Sequence, residues 1–89
     1  MNAHEICTLL RAGKYAWPGG YPIYFVASDG EPLSFEAVRD NLRAVLWAAR
    51  GPHHDRQWRV EGVDINWEDE SLFCVHTGRK IESAYGEEN

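Results

Sequence analysis

Cys74 and His76 offer the most specific chemistry in the chain, because a thiolate and an imidazole are both good metal donors. Their C-x-H spacing would place both side chains on one face of an extended segment. A structural zinc site takes four donors, usually as two close pairs. His4 and Cys7, one helical turn apart, could form a second pair. His53 and His54 are adjacent, and neighbours on an extended chain point apart. No strong four-donor motif results. The expectation is therefore no metal and no cofactor, with Cys74 a small buried hydrophobe and His76 at the start of an exposed turn. A zinc-binding module using Cys74 and His76 is the alternative. Nucleophilic catalysis fares no better. Cys, His and Asp all occur, but no nucleophile elbow or protease signature surrounds them, and a short chain has limited room for a deep pocket.

Two further constellations remain. Alternation puts Asp64, Asn66 and Glu68 on one strand face, followed by Asp69 and Glu70. Such oxygen donors suit Ca²⁺ or Mg²⁺, but the spacing of a calcium loop is missing, so the row reads as a solvated outer face able to meet basic groups of a partner. The segment "YAWPGGYP" sets Tyr15, Trp17 and Tyr21 among helix breakers. Amphipathic rings on a shaped loop are favoured at protein interfaces, although the same loop could fold back and cap the core. Tyr85 could join that patch. The site expected is thus Trp17, Tyr21 and Tyr85 as anchors, with Glu68 and Asp69 steering or orienting a partner.

These residues need elements to position them. Ile6, Leu9 and Leu10 share a face of a short N-terminal helix, capped by Asn2 and ended by Gly13. "IYFVAS" (23–28) is a strand apolar enough to be covered on both faces, and "SDGEP" turns the chain. Phe35, Val38, Leu42, Val45, Leu46 and Ala49 form one stripe of a helix over 35–50, with Ser34 as its N-cap and Gly51-Pro52 as its end. In "RQWRVEGVDINWED", Trp58 and Val60 have one parity, and Val63, Ile65 and Trp67 the other. One inserted residue would return all five to a single face, and Gly62 is the natural place for that β-bulge. The end reads as a hairpin with arms 72–75 and 79–83, in which Phe73 and Ile81 pack on the core. The tail 87–89 should fray.

The fold expected is α+β: a small, mainly antiparallel sheet of three or four strands, the 35–50 helix packed on one face, and a short N-terminal helix. A right-handed parallel crossover from strand to helix to strand is the topological alternative. A length of 89 residues suits a single domain, 1–89. Hydrophobic residues at 44% and charged residues at 26% are a globular balance. The net charge of −5, with nine scattered Lys and Arg, argues against direct binding to nucleic acid. No apolar run approaches a membrane span, and no secretory leader is evident, so a cytoplasmic protein is expected. In a reducing compartment Cys7 and Cys74 would be free.

The strings "YAWPGGYPIYFV", "LSFEAVRDNL", "INWED" and "LFCVHTGRKIESAYG" together resemble a group of small bacterial proteins of the kind carried by phages and other mobile elements. The resemblance spans roughly residues 15–86. It brings no catalytic residues with it. It implies an accessory protein that acts by binding host factors. "CVHTGRKI" is also similar to the knuckle of a zinc ribbon, but departs from it at Thr77, where the second cysteine would stand. The sequence thus points to a small domain that works by contact with a protein, with a second copy of itself among the candidate partners. An acidic inhibitor that mimics nucleic acid is a further alternative.

Overall fold

The computed structural model describes residues 1–15, 19–50 and 58–85. Trp17, His53, His54 and the tail beyond residue 85 lie outside the described residues. The elements are α1 (Ala3–Ala12), β1 (Ile23–Ala27), β2 (Pro32–Leu33), α2 (Phe35–Asp40), α3 (Leu42–Ala49) and β3 (Val60–Ile65). The strands form an antiparallel sheet in the order β2-β1-β3. This is a small α+β fold, and the β1–β3 pairing is antiparallel where a crossover would have made it parallel.

The N-terminal helix begins with a reciprocal cap. Asn2 Oδ1 accepts from the Glu5 N–H at 2.8 Å, and the Asn2 N–H donates to Glu5 Oε1 at 3.0 Å. Gly13, at φ 109°, ends the helix and donates its N–H to the Leu9 carbonyl at 3.0 Å. Ile6 is fully buried and fixes α1 to the core.

The long helix expected over 35–50 is two helices. Ser34 caps the first as anticipated, its Oγ accepting from the Ala37 N–H at 3.0 Å. The break falls at Asn41, which leaves helical geometry at φ −117° and ψ 33°. Its side chain donates to the Ala37 carbonyl at 2.9 Å, the same acceptor its own backbone N–H uses. Asparagine competes for backbone partners in this way, and apolar periodicity does not register it. The stripe survives the break: Phe35, Val38 and Val45 all join the main core.

In β3 the pairing passes from Val26↔Gly62 to Ala27↔Val60, so Glu61 is the extra residue. This bulge, beside Gly62, restores parity. Trp58, Val60, Val63 and Ile65 all reach the core that holds Ile23, Phe25 and Ala27. Trp67, expected on the same face, is 46% exposed. The other face of β1 is covered less completely, with Tyr24 and Val26 half-buried. Pro32, expected at the end of the turn 28–32, instead opens the short β2 with Leu33, and proline is tolerated there because its missing N–H costs an edge strand little.

The C-terminal hairpin leans on β2, with the Val75 N–H donating to the Pro32 carbonyl at 3.0 Å. It is held by a bridge between Phe73 and Lys80 and by bonds from Cys74 N to Arg79 O and from Ile81 N to Leu72 O, both 2.9 Å. Ile81 is buried with Ala37 and Cys74 in a second cluster. Phe73 is 49% exposed, which corrects the expectation that it packs on the core. Alternation explains the difference: Cys74 points inward, so its neighbours Phe73 and Val75 point out.

Candidate docking surface

The turn after β3 is built around Asn66. Sequence alternation placed this residue on a solvated acidic face, but it is 3% exposed. Its amide nitrogen donates to the Asp69 carbonyl at 2.8 Å and to the Ile81 carbonyl at 3.2 Å. Its Oδ1 accepts from the Asp69 N–H at 3.0 Å. One buried side chain thus closes the turn 66–69 and fastens it to the hairpin. The strand ends at Ile65, so the alternation that predicted an outward Asn66 no longer applies.

Trp67 and Glu68, at the centre of this turn, are both exposed. The Tyr85 N–H donates to the Trp67 carbonyl at 2.8 Å, and the Ala84 N–H to the Asn66 carbonyl at 2.7 Å. These bonds bring residue 85 alongside residue 67. The Trp67 and Tyr85 rings lie 5.8 Å apart, centroid to centroid, and 22° from parallel. Tyr21 stands edge-on to both, at 4.9 Å from Trp67 and 5.7 Å from Tyr85. Its hydroxyl meets the Tyr85 hydroxyl at 2.9 Å. That hydrogen bond holds the Tyr85 hydroxyl above its ordinary pKa, helped by the Tyr21 and Glu68 charges. The three rings thus touch one another pairwise and form one aromatic platform.

Gly19 is the backbone condition for this packing. Its φ is +92°, and a Cβ there would meet Tyr21 Cε2 at 2.6 Å. Only a residue without a side chain lets the Tyr21 ring lie so close to the main chain.

Of the residues expected to anchor a partner, Tyr21 and Tyr85 come together, and Trp17 lies outside the described residues. Glu68 is exposed beside them. Asp69 is engaged locally: its Oδ1 accepts from the Ser71 N–H at 2.8 Å and the Ser71 hydroxyl at 2.7 Å, which also lowers its pKa. Trp67 is the ring that sequence reasoning missed. The signal was the turn-forming string Asn-Trp-Glu-Asp-Glu-Ser, which ends the strand before Trp67 and removes it from the core parity.

Tyr15 belongs to a different site. Its hydroxyl donates to Glu82 Oε1 at 2.6 Å, which raises its pKa. Lys14 Nζ bridges Glu36 at 3.0 Å and Glu82 at 3.1 Å. Lys14, Glu36 and Glu82 line a cleft of about 680 Å³ that Arg79 and Lys80 also border. Burial alone would lower the Lys14 pKa, but the bonds and charges of the two carboxylates outweigh it and raise it. Lys14 is thus held in its charged form, as the shared cation of the two carboxylates.

Cys74 and His76 are engaged in separate packing. Cys74 is 1% exposed, in the cluster with Ala37 and Ile81. Burial pushes its thiol up, but hydrogen bonds from the backbone of Ser34 and from Thr77 and His76 leave it below its usual value. The His76 ring stacks on Trp58 at 4.0 Å and 9°. Cys7 and Cys74 are both free thiols. Among the described residues, no group of three Cys, His, Asp or Glu side chains converges as a metal site would require. No described helix is long and apolar enough to cross a membrane.

No family model matches the sequence, and no curated protein or solved structure matches it either.

Proposed function

We propose that this protein is a binding module that docks another protein through the Tyr21, Trp67 and Tyr85 platform. The observation that carries the reading is the exposure of two large rings, 46% for Trp67 on a turn locked by a buried asparagine and 60% for Tyr85 bonded alongside it. Rings fixed before contact lose little conformational freedom on binding, and Trp and Tyr are enriched among the residues that dominate interface energies.

Charge placement favours docking over mimicry of nucleic acid. Glu36, Glu82, Asp40 and Asp69 each bind a partner within the chain. A phosphate-like array would instead leave its carboxylates without cations or donors of the chain's own.

The test is comparative capture from a lysate of the source organism. The double variant Trp67→Ala, Tyr85→Ala should lose a bound protein that wild type and Trp47→Ala both retain. Trp47 is an equally exposed ring, 57%, on α3, and controls for nonspecific adhesion. Equal capture by wild type and the double variant would overturn the reading.

A further inference from the structure

Glu68 differs from the other acids around it. It follows Trp67 directly on the pinned turn, it is exposed, and its carboxylate has no side-chain partner among the described residues. No described Lys or Arg lies over the Trp67 or Tyr85 ring, whereas Lys14 lies 5.8 Å from the Tyr15 ring. An exposed pair of near-parallel rings and a partnerless carboxylate therefore stand together on a chain of net charge −5.

One side chain satisfies both features at once. A guanidinium is planar, so it stacks on an aromatic face, and its N–H fork donates two hydrogen bonds to a carboxylate. An ammonium can sit over a ring or pair with an acid, but it has no plane to stack and no fork. We infer that Trp67, Tyr85 and Glu68 form a reception site for an arginine side chain of the docked protein. The inference rests on the docking reading above and names the partner chemistry. It does not extend to the Lys14 cleft, where Glu36 and Glu82 already hold a cation of the chain's own.

Hexa-arginine and hexa-lysine peptides are suitable probes, since they carry equal side-chain charge. Each is titrated into the full-length protein at moderate salt, with the Trp67 indole N–H and Tyr85 ring resonances followed by NMR. Hexa-arginine should shift both resonances saturably and bind about tenfold more tightly than hexa-lysine, a difference of about 1.4 kcal/mol. Glu68→Gln removes the charge without changing the shape of an exposed side chain, so it preserves the fold. It should reduce hexa-arginine to the affinity of hexa-lysine, while Trp47→Ala changes nothing. Equal affinities for the two peptides, an unchanged preference in Glu68→Gln, or shifts centred elsewhere would each overturn the inference. If capture still depends on Trp67 and Tyr85 while the arginine preference is absent, the arginine assignment fails and the docking reading stands. If the preference is present while capture is indifferent to those rings, the docking reading fails and the arginine site stands as a local property.

Discussion

The aromatic platform and the Lys14 cleft use the same parts of the chain in opposite ways. Each joins the segment after α1 to the C-terminal end, through Tyr21 and Tyr85 in one case and through Tyr15 and Glu82 in the other. Each sets tyrosine beside acid. In the cleft, Lys14 answers two carboxylates and Tyr15 bonds one of them, so the charges are matched internally. On the platform, the hydroxyls satisfy each other, while the ring faces and the Glu68 carboxylate stay available. The contrast separates a polar cluster whose charges are matched within the chain from one that leaves ring faces and a carboxylate exposed. Internal pairing is a reason to read the cleft as structural despite its volume.

The largest effect should come from Asn66, which supports the platform from beneath. Asn66→Ala strips partners from the Asp69 N–H and from the Asp69 and Ile81 carbonyls. Leaving one buried and two part-buried polar groups unpaired should cost about 2–3 kcal/mol. For a domain of this size the melting temperature should fall by roughly 10–20 °C. Thermal denaturation followed by circular dichroism measures this. A loss under about 0.5 kcal/mol, typical of an exposed substitution, would show that the turn does not depend on its asparagine.

Lys14→Met tests the cleft. It leaves Glu36 and Glu82 facing each other without their shared cation. Both acids are partly exposed, so solvent screens them, and a destabilisation of about 1 kcal/mol is expected. The Trp67 and Tyr85 resonances should not move, because the two sites share no side chain. If they do move, the separation drawn between the sites is wrong.

Gly19→Ala should reverse that pattern. The substitution combines a positive φ with a Cβ that would overlap the Tyr21 ring. Strain of about 1 kcal/mol is expected from the backbone, with Tyr21 displaced from its neighbours. The Tyr85 and Trp67 resonances should shift while the Lys14 cleft stays as it is.

Much of this was legible because the rules involved are local. The Asn2 and Ser34 caps and the parity slip that required a bulge in β3 follow from residue type and spacing, and the structure contains all three. What sequence alternation could not show was where it stops applying. Asn41 ends α2 by bonding the Ala37 carbonyl, and Asn66 ends the alternation of β3 by bonding across to Ile81. In both places an asparagine side chain substitutes for a backbone partner, and the apolar pattern on either side gives no sign of it. The second bond also spans 15 residues, so no local window contains it. The platform was half-legible for this reason. The sequence groups Tyr21 with Tyr85, and the two rings do meet, but its alternation assigns Trp67 to the core by a parity that Asn66 breaks.

Acid should distinguish the two sites without mutation. Burial alone would raise the Glu36 pKa, but the Lys14 hydrogen bond and charge bring it below the ordinary carboxylate value. A carboxylate with a lowered folded-state pKa stabilises the fold above its unfolded value and loses that contribution as pH falls through the folded one. Wild type should therefore lose stability below about pH 4, the ordinary carboxylate range, through the cleft. Lys14→Met should flatten that loss and Gly19→Ala should leave it intact. Chemical denaturation midpoints across this range provide the comparison. An unchanged acid slope in Lys14→Met would mean that other carboxylates govern it.

The smallest effect tests the bond between Tyr21 and Tyr85. Tyr15 and Tyr85 both have raised pKa values, but for different reasons. Tyr15 is raised first by its bond to a carboxylate, and Tyr85 first by its bond to another phenol. Tyr21→Phe keeps the ring that Trp67 and Tyr85 pack against and removes the hydroxyl alone. Stability should scarcely change, because the lost bond lies in water. The Tyr85 ionisation should instead move down towards the ordinary tyrosine value near 10. Tyr15 should keep its raised value, since Glu82 is untouched. Near-ultraviolet absorbance titration, with Tyr15→Phe as the reciprocal control, separates the two phenols. If Tyr21→Phe leaves the Tyr85 ionisation where it was, the rings are held by packing alone. In that case the platform can tilt on contact, and the fixed angle of 22° between Trp67 and Tyr85 ceases to be an argument for stacking a planar cation.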